Sequence, residues 1–152
     1  MELTSTAFAE GATIPKPNTG DGQDISPPLR WSGAPGNTQS FALICDDPDA
    51  PRKEPWVHWV LFNLPASTHE LPEGTPARET LANGAKQGKN DFGKIGYGGP
   101  APPPGKPHRY YFKLYALDTV LNLKEGAAKQ ELEQAMKGHI LASGQLMGRY
   151  GR

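Results

Sequence analysis

Four side chains capable of acid–base or ligand chemistry sit in two stretches of this sequence. "CDDPDAPRKEPWVHWVLFNLP" (45–65) sets Asp47 and Asp49 two residues apart in a proline-clamped turn and follows them with His58 between two tryptophans. Further along, "HRYYFKLYALD" (108–118) opens with His108. If the strands that carry these residues are antiparallel neighbours, one rim of a sheet collects Asp47, Asp49, His58 and His108 together with Trp56 and Tyr110.

Several chemistries compete for that set. Two carboxylates and two imidazoles suit Zn²⁺ or Fe²⁺, but the spacing matches neither H-E-x-x-H nor an EF-hand loop with its closing glutamate. Paired acids divide general acid and base duties in glycosidases, yet an i, i+2 pair in one tight turn is too local to flank a bond from opposite sides. No G-x-S-x-G elbow is present, and Ser40 and Ser67 have no special setting. A hydrolase would therefore rest on His58 or His108 as general base, without an evident nucleophile. The glycines of "GKIGYGG" (93–99) neither follow a clear strand nor open a helix, and no P-loop motif occurs. The plain alternative is structural: aspartates next to proline cap turns through backbone N–H groups, and a histidine inside a strand is commonly a satisfied core group. Each residue taken singly fits that alternative. Their joint occurrence favours a pocket.

The elements that must position these residues are mostly strands. "SFALICDD" (40–47) is a continuous apolar run ending in acids and Pro48, the pattern of a strand buried on both faces. In "WVHWVLFNL" (56–64), strict alternation puts His58, Val60 and Phe62 on one face and Val57, Trp59 and Leu61 on the other. In 108–118, His108, Tyr110, Phe112, Leu114 and Ala116 face inward, opposite Arg109, Tyr111, Lys113 and Tyr115. About forty glycine- and proline-rich residues separate these two strands, a length that in a compact domain points to function or disorder. The one clear helix is expected near 124–137, with Asn122 as N-cap and Gly138 as the stop. The first forty residues read as an edge strand, "ELTSTAF", and a wrapping segment of turns. "HILASGQLMGRYGR" returns to an extended pattern.

The 152 residues suit one domain, 1–152, long enough to bury roughly 70% of the unfolded surface. Sixteen basic and sixteen acidic residues cancel, so no global field attracts nucleic acid or an anionic membrane, and anion recognition must be local. Eighteen glycines and sixteen prolines, spread among strand-like segments, mark a mainly β protein with long ordered loops. The single cysteine, Cys45, lies in an apolar run and reads as a small buried hydrophobe. No signal-peptide pattern and no apolar run approaching ~18 residues occurs, which leads to the expectation of a soluble cytoplasmic protein without stable membrane insertion.

"DDPDAP" with "WVHW", then "GYGGPAPPPGKPHRYYFKLYALD", closely resembles the two signature regions of the phosphatidylethanolamine-binding protein family, in particular its bacterial, Raf-kinase-inhibitor-like branch. Supporting matches in "DGQDISPPLRWSGAP", "KNDFGKIGYGGP" and "GQLMGRYGR" extend the likeness over nearly the whole chain. The resemblance implies a β-sandwich-like fold with Greek-key-type sheets and a small rim pocket for phosphate-like or phosphorylethanolamine-type groups, with no cofactor and no metal. Matched motif by motif, it assigns ligand binding to Asp47, Asp49, Trp56, His58, His108 and Tyr110, and a pocket-wall loop to Gly99, Pro100 and Pro102. It departs at Gly20, where bacterial relatives often have cysteine before D-G. The eukaryotic C-terminal helix has no counterpart after "LMGRYGR", which leaves the pocket open or covered by a partner chain. Bacterial relatives are often homodimers, and some family members inhibit a protein kinase or a serine hydrolase by surface contact.

Carboxylates beside a phosphoryl group demand shared protons. The expectation is that His58 and His108 donate, that backbone N–H groups of Gly98 and Gly99 form an anion-accepting concavity, and that one aspartate carries a proton. The ionised acid or the Trp56 face would take an ammonium. Arg109 is expected on the opposite face, and Arg52 and Lys53 as a solvated pair on an exposed turn.

Overall fold

A computed structural model describes residues 1–152, and its strands explain how distant motifs meet. β1 (Glu2–Thr4), β2 (Leu29–Ser32) and β5 (Glu70–Leu71) form a three-stranded sheet in the order β1-β2-β5. β3 (Ser40–Asp47), β4 (Trp56–Pro65), β6 (Lys86–Gln87), β7 (His108–Leu117) and β8 (Ile140–Tyr150) form a five-stranded sheet in the order β6-β4-β3-β7-β8. All these pairs are antiparallel. Within the larger sheet, β7 returns to lie beside β3, which gives β3, β4, β6 and β7 the Greek-key order. The fold is thus mainly β, with a single α-helix, α1 (Lys129–Met136). No helix is long and apolar enough to cross a membrane.

Two apolar layers hold the large sheet. Phe41, Leu43 and Cys45 of β3, Trp59 and Leu61 of β4, and Tyr110, Phe112, Leu114 and Ala116 of β7 join Leu29 and Trp31 of the small sheet in one core. Ala42, Ile44, Val60 and Phe62 face the other way and pack under Leu132 and Met136 of α1. All eight residues of β3 are buried, as its continuous apolar run requires of a strand covered on both faces.

Strict alternation fails in β4. Cys45 pairs with Trp59 but Asp46 pairs with Val57, so His58 is the extra residue of a β-bulge. The bulge changes the parity. Val57 joins Val60 and Phe62 in the layer beneath the helix, while His58 packs edge-on to Tyr110 of the inter-sheet core, with ring centroids 5.1 Å apart. A second register shift lies between Phe41 and Leu43, where Asn63 adopts φ 57° and its carboxamide makes two 2.9 Å bonds with the backbone of Leu121.

The helix is shorter than its sequence pattern suggests. It starts after Ala128, not near Asn122, and the Glu131 carboxylate accepts the Ala128 backbone N–H at 3.0 Å. Gly126, at φ 83°, bends the chain just before it, so the turn residue overrides the favourable helix formers that precede it. Gly138, also at φ 83°, ends the helix as expected.

The long glycine- and proline-rich connection is ordered by two buried amides. Gln87 accepts the Trp59 indole N–H at 2.7 Å and donates to the carbonyls of Pro76 (2.7 Å) and Arg78 (2.8 Å). Asn90 donates to the Gly96 carbonyl at 2.9 Å and accepts the backbone N–H groups of Phe92 and Lys94. A segment too poor in apolar residues to fold on its own is thereby tied to β4.

Candidate functional site

At the rim where β3, β4 and β7 end, a cavity of about 200 Å³ is lined by Asp47, Ala50, Pro51, Trp56, His58, Phe92, Ala101, Pro102, Pro103, His108 and Tyr110. Six of the nine residues singled out in the sequence meet there: Asp47, Trp56, His58, Pro102, His108 and Tyr110. Asp49, Gly99 and Pro100 do not line it. Of the remaining wall residues, Ala50 and Pro51 belong to the D-P-D-A-P turn and Ala101 and Pro103 to the proline loop, so those motifs already contained them. Phe92 lies inside the "KNDFG" match but nothing local marked it as a wall residue: Asn90 shapes the turn around it, and Asp91, bonded to the Val57 N–H (2.7 Å) and carbonyl (2.9 Å), docks that turn on β4.

Asp47 combines the structural and chemical roles that the sequence left as alternatives. Its Oδ1 accepts the Asp49 N–H at 2.7 Å and closes the turn, while Oδ2 accepts Nδ1–H of His108 at 2.7 Å. Both side chains of that pair are largely sheltered, 4% and 12% exposed. This bond fixes the His108 tautomer. Nε2 remains for a ligand, and donates to it when the ring is protonated.

His58 differs from His108 in kind. Its Nδ1–H donates to the Gly98 carbonyl at 2.5 Å. Burial lowers its pKa, opposed by the Gly98 carbonyl and by the charges of Asp47, Asp46 and Asp24. Burial thus favours the neutral ring with Nε2 as an acceptor, so His58 accepts a hydrogen bond from a ligand instead of donating one. Tyr110 supplies a donor: burial, reinforced by Asp47, raises the pKa of its hydroxyl and keeps it protonated.

Asp49 turns outward with the odd-numbered face of β7. It accepts Arg109 Nε (2.9 Å), Nη2 (2.8 Å) and the backbone N–H (2.9 Å). The Arg109 side-chain bonds pull its pKa down to about 2, so Asp49 is not the carboxyl that carries a proton. Arg109 lies on the face opposite the cavity, as alternation predicted.

The loop 98–101 reaches the cavity only through Ala101 and is not an anion nest. The Gly98 N–H donates to the His58 carbonyl (2.9 Å) and the Gly99 N–H to Asp24 Oδ1 (2.7 Å), so neither points a free donor at a ligand. A Cβ at Gly99 would lie 2.6 Å from Asp24 Oδ1 and 2.7 Å from the Asn18 carbonyl. Glycine is needed there for backbone to pack on backbone. The wrapping segment thus supports the site directly, and Gly20 takes part by donating to the Pro100 carbonyl at 2.8 Å.

Arg52 is not a free surface charge. It donates to the carbonyls of Glu54 (3.0 Å) and Pro55 (2.9 Å), pairs with Asp91, and stacks 4.6 Å over the Trp56 ring. One face of Trp56 is therefore taken by a cation of the protein itself. No cluster of three or more histidine, cysteine, aspartate or glutamate side chains is arranged to hold a metal ion.

Comparison with known proteins agrees with this architecture. A 152-residue match to a UPF0098 protein of Methanothermobacter thermautotrophicus is 52% identical and covers all of this chain and 99% of the relative. A UPF0098 protein of Pyrococcus horikoshii is 48% identical over 97% of this chain and 75% of its own length. Among solved structures, a phosphatidylethanolamine-binding protein homologue from Chlamydia trachomatis superposes with a TM-score of 0.91 at 44% identity, covering 99% of this chain and 97% of that one. YbcL of E. coli, described as a member of the mammalian PEBP family, gives 0.92 at 35% identity, covering 99% and 98%. The sequence model of the family described as phosphatidylethanolamine-binding protein matches residues 4–151, and the chain belongs to that family.

Proposed function

We propose that this protein is a non-enzymatic binding module for a small phosphoryl or similar anionic group, of the kind carried by phosphorylethanolamine, and that the rim cavity is its working part. The observation that carries the proposal is the division of labour on the cavity wall. The Tyr110 hydroxyl donates, His58 Nε2 accepts, and His108, oriented by Asp47, presents Nε2, which donates when the ring is charged. This set matches a phosphoryl monoanion, which offers both bare oxygens and one P–OH. A phosphoryl dianion would offer His58 no P–OH donor. No arginine or lysine lines the cavity, so binding of bare phosphate is weak.

The wall lacks the hydroxyl, thiol and amine nucleophiles commonest in covalent catalysis, which supports a binding role over that kind of turnover. No serine, threonine, cysteine or lysine lines the cavity. Cys45 is buried in the core, where desolvation pushes its thiol pKa well up. The Ser40 hydroxyl donates to the Thr119 carbonyl at 2.5 Å.

Calorimetric titration with O-phosphorylethanolamine tests the proposal, with His108→Ala run in parallel. Heat of binding in the natural chain and its loss in the variant is the expected result. No binding to either would reject the cavity as the working part and shift the function to surface contact with a protein partner.

A further inference from the structure

A second concavity, of about 460 Å³, lies against the cavity and is lined by Asp49, Lys106, Pro107, His108, Arg109 and Arg149. His108 belongs to the walls of both. Arg109 and Arg149 are cross-strand partners on β7 and β8, an arrangement in which like charges repel. Asp49 relieves only half of it, since its carboxylate is engaged by Arg109. Neither Arg149 nor Lys106 forms an ion pair within the protein. Three cations thus face one carboxylate in a concavity without an apolar wall.

The two unpaired cations are held on ordered backbone. Arg149 donates its N–H to the Ala12 carbonyl (2.9 Å) and accepts the Ile14 N–H (2.8 Å). Lys106 stands between Pro107 and Gly105, whose N–H donates to the Arg152 carbonyl at 3.2 Å. The backbone is thus fixed, and the ordering cost on anion binding falls on the two exposed side chains alone.

We propose that Lys106 and Arg149 form a second anion subsite, so that the preferred ligand is a soluble organic phosphate bearing a second anionic group close to the first. The inference rests on the phosphoryl group occupying the rim cavity. The second group, a carboxylate or another phosphate, lies past His108 against the two unpaired cations and relieves the repulsion between Arg109 and Arg149.

Glycerol 3-phosphate and 3-phosphoglycerate test this, because they differ by one carboxylate on the same skeleton. Calorimetry on the natural chain should show 3-phosphoglycerate binding about fivefold tighter, a ratio that shrinks as salt is raised. In the doubly substituted K106Q/R149Q chain the ratio should fall to about one, with glycerol 3-phosphate losing less affinity than 3-phosphoglycerate. Equal affinities in the natural chain, or a ratio that survives both substitutions, would overturn the subsite. If glycerol 3-phosphate itself does not bind, the rim-cavity proposal fails first and this inference falls with it. Sedimentation with phosphatidylserine vesicles that depends on Lys106 and Arg149, without any preference for 3-phosphoglycerate in solution, would overturn the assignment to a free ligand.

Discussion

Asp47 and Asp49 stand two residues apart in the same turn, yet their chemistry is opposite. Asp47 faces the cavity and orients His108, whereas Asp49 anchors the turn to β7 through Arg109. Asp49→Ala should therefore cost about 1–2 kcal/mol of stability in urea denaturation, since it removes a partly exposed bidentate pair and one backbone acceptor. It should leave O-phosphorylethanolamine bound. Loss of binding in a folded Asp49→Ala protein would place Asp49 in the ligand's contact shell. The depressed Asp49 pKa also shapes acid stability. Its contribution is complete above the unfolded value of 3.8 and is lost as the pH falls toward about 2. His58 acts in a higher range with the same sign. Burial depresses its folded pKa, so the unfolded chain takes up protons first and stability declines as the pH drops below the ordinary histidine value of 6.5. Replacing His58 with glutamine should flatten the stability profile there, which denaturation at a series of pH values would reveal.

At the scale of elements, the bulge in β4 and the buried amides of the long connection determine the shape of the site. Asn90→Ala removes three bonds that form the turn placing Phe92 at the cavity mouth. The expected cost is about 2–3 kcal/mol, together with a weakened ligand affinity that tracks the displaced Phe92. Unchanged affinity would show that Phe92 is not part of the working wall. A separate tie joins α1 to the sheet. The Asp46 carboxylate, 1% exposed, receives Lys129 of the helix at 2.7 Å and Lys113 of β7 at 3.1 Å. Asp46→Ala leaves two lysine heads without a partner and should cost about 2–4 kcal/mol. This is a helix-docking effect, and ligand affinity, measured well below the midpoint of unfolding, should stay as it was.

The whole molecule is built on a large sheet whose central strands β3 and β4 are buried on both faces, with the rim cavity at one end of β3, β4 and β7. The small sheet covers one face, and α1 with its neighbouring loops covers the other. Leu132→Ala opens the second layer far from the rim and should destabilise the chain by about 2–4 kcal/mol. A smaller loss would mean that the layer closes over the cavity left behind. The zero net charge of the chain conceals local imbalance: the cations around Arg149 outnumber the acids on one side of His108. Long-range attraction is therefore weak, and recognition depends on groups within a Debye length of the rim.

Much of this was legible before any coordinates. The apolar run of β3, the alternation of β7, the turn chemistry of D-P-D-A-P and the proline loop are local patterns whose periods and residue types carry their own physical meaning. They were enough to assemble five of the cavity residues and a mainly β fold; the sixth, Pro102, came from the family resemblance. What local pattern could not contain was everything that depends on a residue distant in sequence. The bulge that re-aims His58 exists only as a mismatch between β3 and β4. The direction of Asp49 was decided by Arg109, sixty positions away. The Gly98 and Gly99 amides were claimed by His58 and Asp24, and Phe92 reached the mouth because Asp91, its neighbour, pairs with Val57 of β4. Periodicity reports which face of its own strand a side chain occupies. Which donor meets which acceptor is settled only when the strands pair, because each hydrogen-bonding group is satisfied by whatever the fold brings within 3 Å of it.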